Sequence, residues 1–156
     1  MLQKGSGDRR SGSQGCPRGE ALVLGGLGSR HVKDGARLLR AAAEDDPECA
    51  MLLVRFIEDG KIKPAEGENT FLLITRAAEG GVPEAMRDLG NILLICSLAK
   101  PEDMPLPGLT PEGLREEGIR WLVKAAAAGD VKAEVILKGV AAREEEEDNP
   151  DGEVRQ

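Results

Sequence analysis

From Val32 onward, apolar positions recur at intervals of three and four, the spacing that lines one face of an α-helix. Ala36, Leu38, Leu39, Ala42 and Ala43 make the first such face. Asp45-Asp46-Pro47 interrupts it, and Ala50, Leu53, Val54 and Ile57 resume it as far as Asp59-Gly60. The pattern predicts a helix hairpin, with Asp46 capping the second helix and Pro47 in its first turn, where a missing N–H costs nothing. The unit returns. Phe71, Leu72, Ile74, Ala77 and Ala78 form a face, Gly80-Gly81-Val82-Pro83 breaks it, and Ala85, Leu89, Ile92 and Leu93 continue. It returns again as Ile119, Trp121, Leu122, Ala125 and Ala126, a break at Gly129-Asp130, then Ala133, Ile136, Leu137 and Val140, with Asp130 as the cap.

The three units align through their turns without gaps. Ala42-Ala43, Ala77-Ala78 and Ala125-Ala126 coincide, as do Ala50, Ala85 and Ala133. Successive units are offset by about 35 and about 48 residues, a period that marks a helical solenoid. The longer offset comes from an insertion at 100–113 carrying Pro101, Pro105, Pro107 and Pro111, which forbid a continuing helix. The repeats thus run over 34–60, 69–99 and 112–142. The alanines fall where the two helices of a hairpin cross, so a larger residue would push the axes apart.

Outside a repeat domain at 32–143 the texture changes. Residues 1–31 are rich in Gly, Ser and Arg, have no helical period and cannot bury enough apolar surface to offset their ordering entropy. They read as a flexible tail, in which only the run Ala21-Leu22-Val23-Leu24 invites docking. Residues 144–156 open with an acidic run, Glu144 to Asp148, whose like charges repel at helical spacing and predict fraying or a solvated tail.

Composition narrows the function. The chain has 28 acidic and 21 basic residues, a net charge of −7. This argues against a general nucleic-acid binder, which needs a basic face to displace counterions. With two Phe, one Trp and no Tyr, the core must be aliphatic and rich in Ala, as packed helices allow. No stretch approaches the roughly 20 apolar residues of a membrane span. Cys16, Cys49 and Cys96 are odd in number and widely spaced, so no disulfide framework is implied. Cys49 and Cys96, among apolar neighbours, read as buried small hydrophobes. The simplest compartment is the reducing cytosol.

Candidate chemistry is sparse. Gly25-Gly26-Leu27-Gly28 mimics a phosphate loop, but His31 stands where the third glycine belongs and no βαβ unit follows. His31, the single histidine, has no cysteine at zinc-ligand spacing and reads as solvated. Asp148-Asn149-Pro150-Asp151-Gly152 lacks the closing Glu of a calcium loop. No catalytic constellation, cofactor or metal site is expected.

The residues Trp121-Leu122-Val123-Lys124-Ala125-Ala126, then Gly129-Asp130 and Ala133, resemble the centre of the Sel1-like repeat. Ala77-Ala78, Gly81, Ala85 and Leu89-Gly90 resemble it in the second unit. The first unit departs, with Asp46 where the family has Gly, and in the third Leu137-Lys138 replaces Leu-Gly. The resemblance covers residues 34–142 and is specific as a set of spacings. It implies an all-α, right-handed solenoid of three hairpins, related to tetratricopeptide repeats and acting as an adaptor. The stretch from Gly118 to Gln156 is also similar to the cytosolic amino-terminal region of the wolframin family. That likeness implies the cytosolic face of the endoplasmic reticulum, a role in calcium homeostasis and the stress response, calmodulin as a partner, and a membrane tether in a longer chain rather than membrane contact by this segment.

Trp121 has two readings, a core residue of the repeat or an anchor for a partner. Arg120, Trp121 and Lys124 form a basic apolar segment of the kind calmodulin accepts, although that face is also needed for packing. Aligning the units puts Arg37, Arg40, Arg76, Arg120 and Lys124 at neighbouring positions on the three first helices. Such helices line the concave side of a solenoid, which predicts a basic strip suited to an acidic peptide. Scattered solvated charges are the alternative.

Overall fold

The structure, a computed structural model, describes residues 8–25, 28–104 and 107–149, with only the backbone at 8–15 and 29. The described residues form seven α-helices and no strand: α1 (Asp8–Leu24), α2 (Ser29–Ala43), α3 (Pro47–Glu58), α4 (Thr70–Glu79), α5 (Pro83–Cys96), α6 (Pro111–Ala127) and α7 (Val131–Asp148), with a 3₁₀ turn at Pro101–Asp103. The all-α class follows from the periodicity. The chain divides into two compact units, Met1–Ala85 and Met86–Gln156, and the boundary falls inside α5.

In the first unit, α2 packs on α3, and Ala36, Leu39, Ala43, Ala50, Leu53 and Val54 of the two helices are all buried. Asp46 accepts from the N–H groups of Glu48 and Cys49, and Pro47 opens α3, as the sequence predicts. Ile74, Ala77, Ala78 and Ala85 are buried, whereas Phe71 and Leu72 of the predicted α4 face are exposed. At the end of α4 the Val82 N–H bonds to the Ala77 carbonyl at 3.1 Å and the Gly81 N–H to that of Ala78 at 3.0 Å. This six-to-one, five-to-two pair requires a left-handed residue, supplied by Gly81 at φ 91°.

Where a flexible tail is expected to residue 31, residues 8–24 are helical. The reason is the fit against α2. A methyl group on Gly35 would stand 2.7 Å from the Gly19 carbonyl oxygen and 2.9 Å from Val23, so the two glycines let the backbones touch. Val23, inside the apolar run, is buried; Leu24 beside it is not. The Gly-rich phosphate-loop mimic at 25–28 lies partly outside the described residues.

In the second unit, Leu122, Ala125 and Ala133 are fully buried, with Met86, Leu94, Ala126, Ile136 and Leu137 packed around them. The turn between α6 and α7 repeats the α4 cap: Asp130 N–H to Ala125, Gly129 N–H to Ala126, each at 3.0 Å, with Gly129 at φ 97°. Asp130 then caps α7 by accepting from Ala133 N–H at 2.9 Å. The insertion ends earlier than residue 113. Thr110 accepts from Gly113 N–H and Pro111 starts α6, because proline is favoured in a first helical turn although it would break a later one. The acidic run is helical to Asp148, and Arg115 donates to Glu144 at 2.7 Å across the α6–α7 hairpin. Cys96, expected to be buried, is exposed at the end of α5, and so are its apolar neighbours Ile95 and Leu98.

Candidate protein-binding surfaces

The cations of the predicted strip differ in environment. Arg37 is exposed on α2 and lies 3.5 Å from Asp34. Arg40 is built into the fold. Its Nε and Nη2 donate to the two carboxylate oxygens of Glu68 at 2.8 and 2.9 Å, and Nη2 also donates to the Lys63 carbonyl at 2.9 Å. That bidentate bond raises the Arg40 pKa above its ordinary value and holds the Glu68 carboxyl below its own, against a smaller opposing effect of desolvation. Arg76 is exposed on α4. In the second unit, Arg120 pairs with Glu117 at 3.1 Å and Glu116 at 3.9 Å on its own helix. Lys124 sits 4.5 Å above the ring of Trp121, which is half-buried, while Leu122 beside it is fully buried. Arg37, Arg40 and Arg76 belong to one unit and Arg120 and Lys124 to the other.

The Arg40 clamp fixes the connection between α3 and α4, residues 59–69. Gly60 turns the chain at φ 72°, and the Lys61 and Ile62 N–H groups both bond to the Phe56 carbonyl, at 2.9 and 3.0 Å. Ile62 is thereby buried, at 3% exposure, although it lies in a loop. Glu68 Oε1 takes a further bond from Ala65 N–H. Between this connection and α2 lies a cavity of about 480 Å³ lined by Val32, Lys33, Ala36, Arg40, Gly60, Lys61, Ile62 and Lys63. Periodicity missed it, because loops carry no helical period. The signal available was a connection of more than the usual length, with Lys61 and Lys63 flanking a large apolar residue.

A second, smaller cavity, about 280 Å³, lies within the other unit between α5, α6 and α7, with Leu94, Ile136 and Val140 among its walls and Arg115 and Arg143 at its edge. Ile95 and Leu98, which also line it, are 60% and 72% exposed, so this face is apolar and open.

Two cysteines far apart in the sequence come together, and no spacing in the chain marks them as a pair. Cys16 of α1 and Cys49 of α3 lie close enough for their thiols to interact. Burial pushes both thiols up, and the neighbouring Asp46 adds to the effect. Thiols held protonated in this way are poor nucleophiles. Among the described residues, no three His, Cys, Asp or Glu side chains are grouped as a metal site requires, and no helix is long and apolar enough to cross a membrane. Comparison with protein-family models, curated proteins and solved structures returns no match.

Proposed function

We propose that the chain is a protein-interaction scaffold: a right-handed α-solenoid of three Sel1-like hairpins that binds a partner protein and catalyses nothing. The observation that carries this reading is the recurrence of one turn. Ala77 and Ala125 take the same six-to-one bond, Gly81 and Gly129 the same left-handed conformation, and Ala50, Ala85 and Ala133 the same full burial eight residues after the first alanine of each pair. A repeated supersecondary unit with an aliphatic core is how solenoids build extended binding faces. The likeness of Gly118 to Gln156 to wolframins supports a place on the cytosolic face of the endoplasmic reticulum, with the chain tethered through a longer polypeptide and concerned with calcium homeostasis.

A second reading is calmodulin binding through α6. It is favoured by the half-buried Trp121 under Lys124, next to Arg120 and the 51%-exposed Val123, a basic apolar group of the type calcium sensors grip. Affinity purification from cell extract with the full chain and the charge-reversed R76E/R120E variant tests both. The scaffold reading expects partner proteins whose yield falls at least tenfold with the variant, in calcium and in chelator alike, as charge reversal at an interface predicts. Calmodulin as sole partner, and only in calcium, supports the second reading instead. Equal yields from both chains remove the basic strip, and the absence of any protein removes the scaffold.

A further inference from the structure

We propose that the cavity between α2 and the α3–α4 connection is a docking site for an acidic peptide segment that inserts one apolar side chain. This rests on the scaffold reading and adds to it a docking site, apart from the basic strip, for an acidic segment of a partner.

The lining is two-part. Val32, Ala36 and Ile62 supply apolar surface, and Lys33, Arg40, Lys61 and Lys63 supply the charge. No carboxylate lines the cavity, in a chain whose acids outnumber its bases by seven. The four cations are not equivalent. Arg40 is committed to Glu68, and Lys61 stands 3.5 Å from Asp59 and 5.4 Å over the Phe56 ring. Lys33 and Lys63 have no ion-pair partner among the described residues and are exposed. They come from opposite walls, one from α2 and one from the connection.

The wall is also built in advance. Arg40 joins α2 to Glu68 and to the Lys63 carbonyl, so the backbone that carries Lys63 is already positioned without a ligand. The connection is longer than the usual helix–helix link, and because it is fixed in advance it spares the partner the entropy of ordering it. Arg40 is therefore a positioning residue, which accounts for its having no charge to spare for a partner. The volume of about 480 Å³ falls in the range of ligand pockets. The chemistry favours a peptide over a phosphate ligand. The floor is apolar, the cations are separated ammonium groups, and no guanidinium fork is left open for a phosphate.

Random dodecapeptides displayed on phage are selected on the immobilised full chain. The enriched peptides are then measured by fluorescence anisotropy on the wild type and on K33E/K63E, K33Q/K63Q and R76E/R120E, each checked for helicity. The expected peptides carry Asp and Glu around one large apolar residue. Their affinity falls at least tenfold with K33E/K63E, less with K33Q/K63Q, and stays within about twofold with R76E/R120E, whose positions do not line the cavity. Peptides that ignore K33E/K63E, or that carry no acids, overturn the site while leaving a protein-binding chain. So does a selection that enriches nothing while the affinity purification captures partners. Binding to phosphatidylserine vesicles that K33E/K63E abolishes, with no peptide selected, overturns the site in favour of a lipid surface. Neither peptides nor captured proteins removes the site and the scaffold reading together.

Discussion

Glycines without positive φ set how closely these helices pack. A methyl group on Gly118 would stand 2.8 Å from the Gly90 carbonyl oxygen, and one on Gly90 would meet both the Gly118 carbonyl oxygen and Leu122 at 2.8 Å. Gly19 and Gly35 repeat the arrangement between α1 and α2. Alanine is the better helix former by about 1 kcal/mol, but forcing a methyl into backbone contact costs about 1–3 kcal/mol. Gly118→Ala is therefore expected to lower stability by up to about 2 kcal/mol in urea denaturation. Gly139 in α7 has nothing within 4 Å of an added methyl, so Gly139→Ala is expected to raise stability by about 0.5–1 kcal/mol. If both substitutions shift stability in the same direction, the backbone contact at Gly118 does not limit the α5–α6 approach. The sequence showed Gly90 through the repeat pattern, but its partner Gly118 sits in an α6 face otherwise read for its large residues. Cys96 failed for a related reason: apolar neighbours in sequence say nothing about which side of the last helical turn faces solvent.

At the scale of elements, helices α2 to α7 were legible because burial imposes a period, and the turns at Asp46, Gly81 and Gly129-Asp130 because Gly and Asp have fixed uses there. The predicted caps at Asp46 and Asp130 are made. α1 was not legible, since its glycines read as disorder when taken alone and as a packing surface only once α2 lies against them. Nor was the clamped connection, whose order comes from a pair 28 residues apart, Arg40 and Glu68. That pair has a consequence for acid stability. Its carboxyl titrates lower in the folded chain than in the unfolded one, so the folded state holds fewer protons there. Its contribution is complete above the ordinary carboxylate pKa, about 4.3, and is lost as the pH falls toward the depressed folded value. Glu68→Gln is expected to destabilise the chain at pH 7 and to flatten the fall in stability below about pH 4.5. Acid-induced unfolding curves of the two chains check this; parallel curves over that range would show that the Arg40–Glu68 bond contributes nothing to folding.

On the scale of the whole molecule, charge and repetition point the same way. A chain with a net charge of −7 nevertheless gathers four cations around one apolar-floored cavity and carries further arginines on its first helices. The candidate strip was legible as positions on helices, whereas the cavity belongs to a loop and needed the fold. The strip depends on the three hairpins being copies of one unit. A crystal structure of the full chain tests that most directly, by superposing α2–α3, α4–α5 and α6–α7. A Sel1-like array predicts that Ala50, Ala85 and Ala133 coincide and that one right-handed step carries each hairpin onto the next. Hairpins that do not superpose, or that close into a bundle with no repeating step, would contradict it.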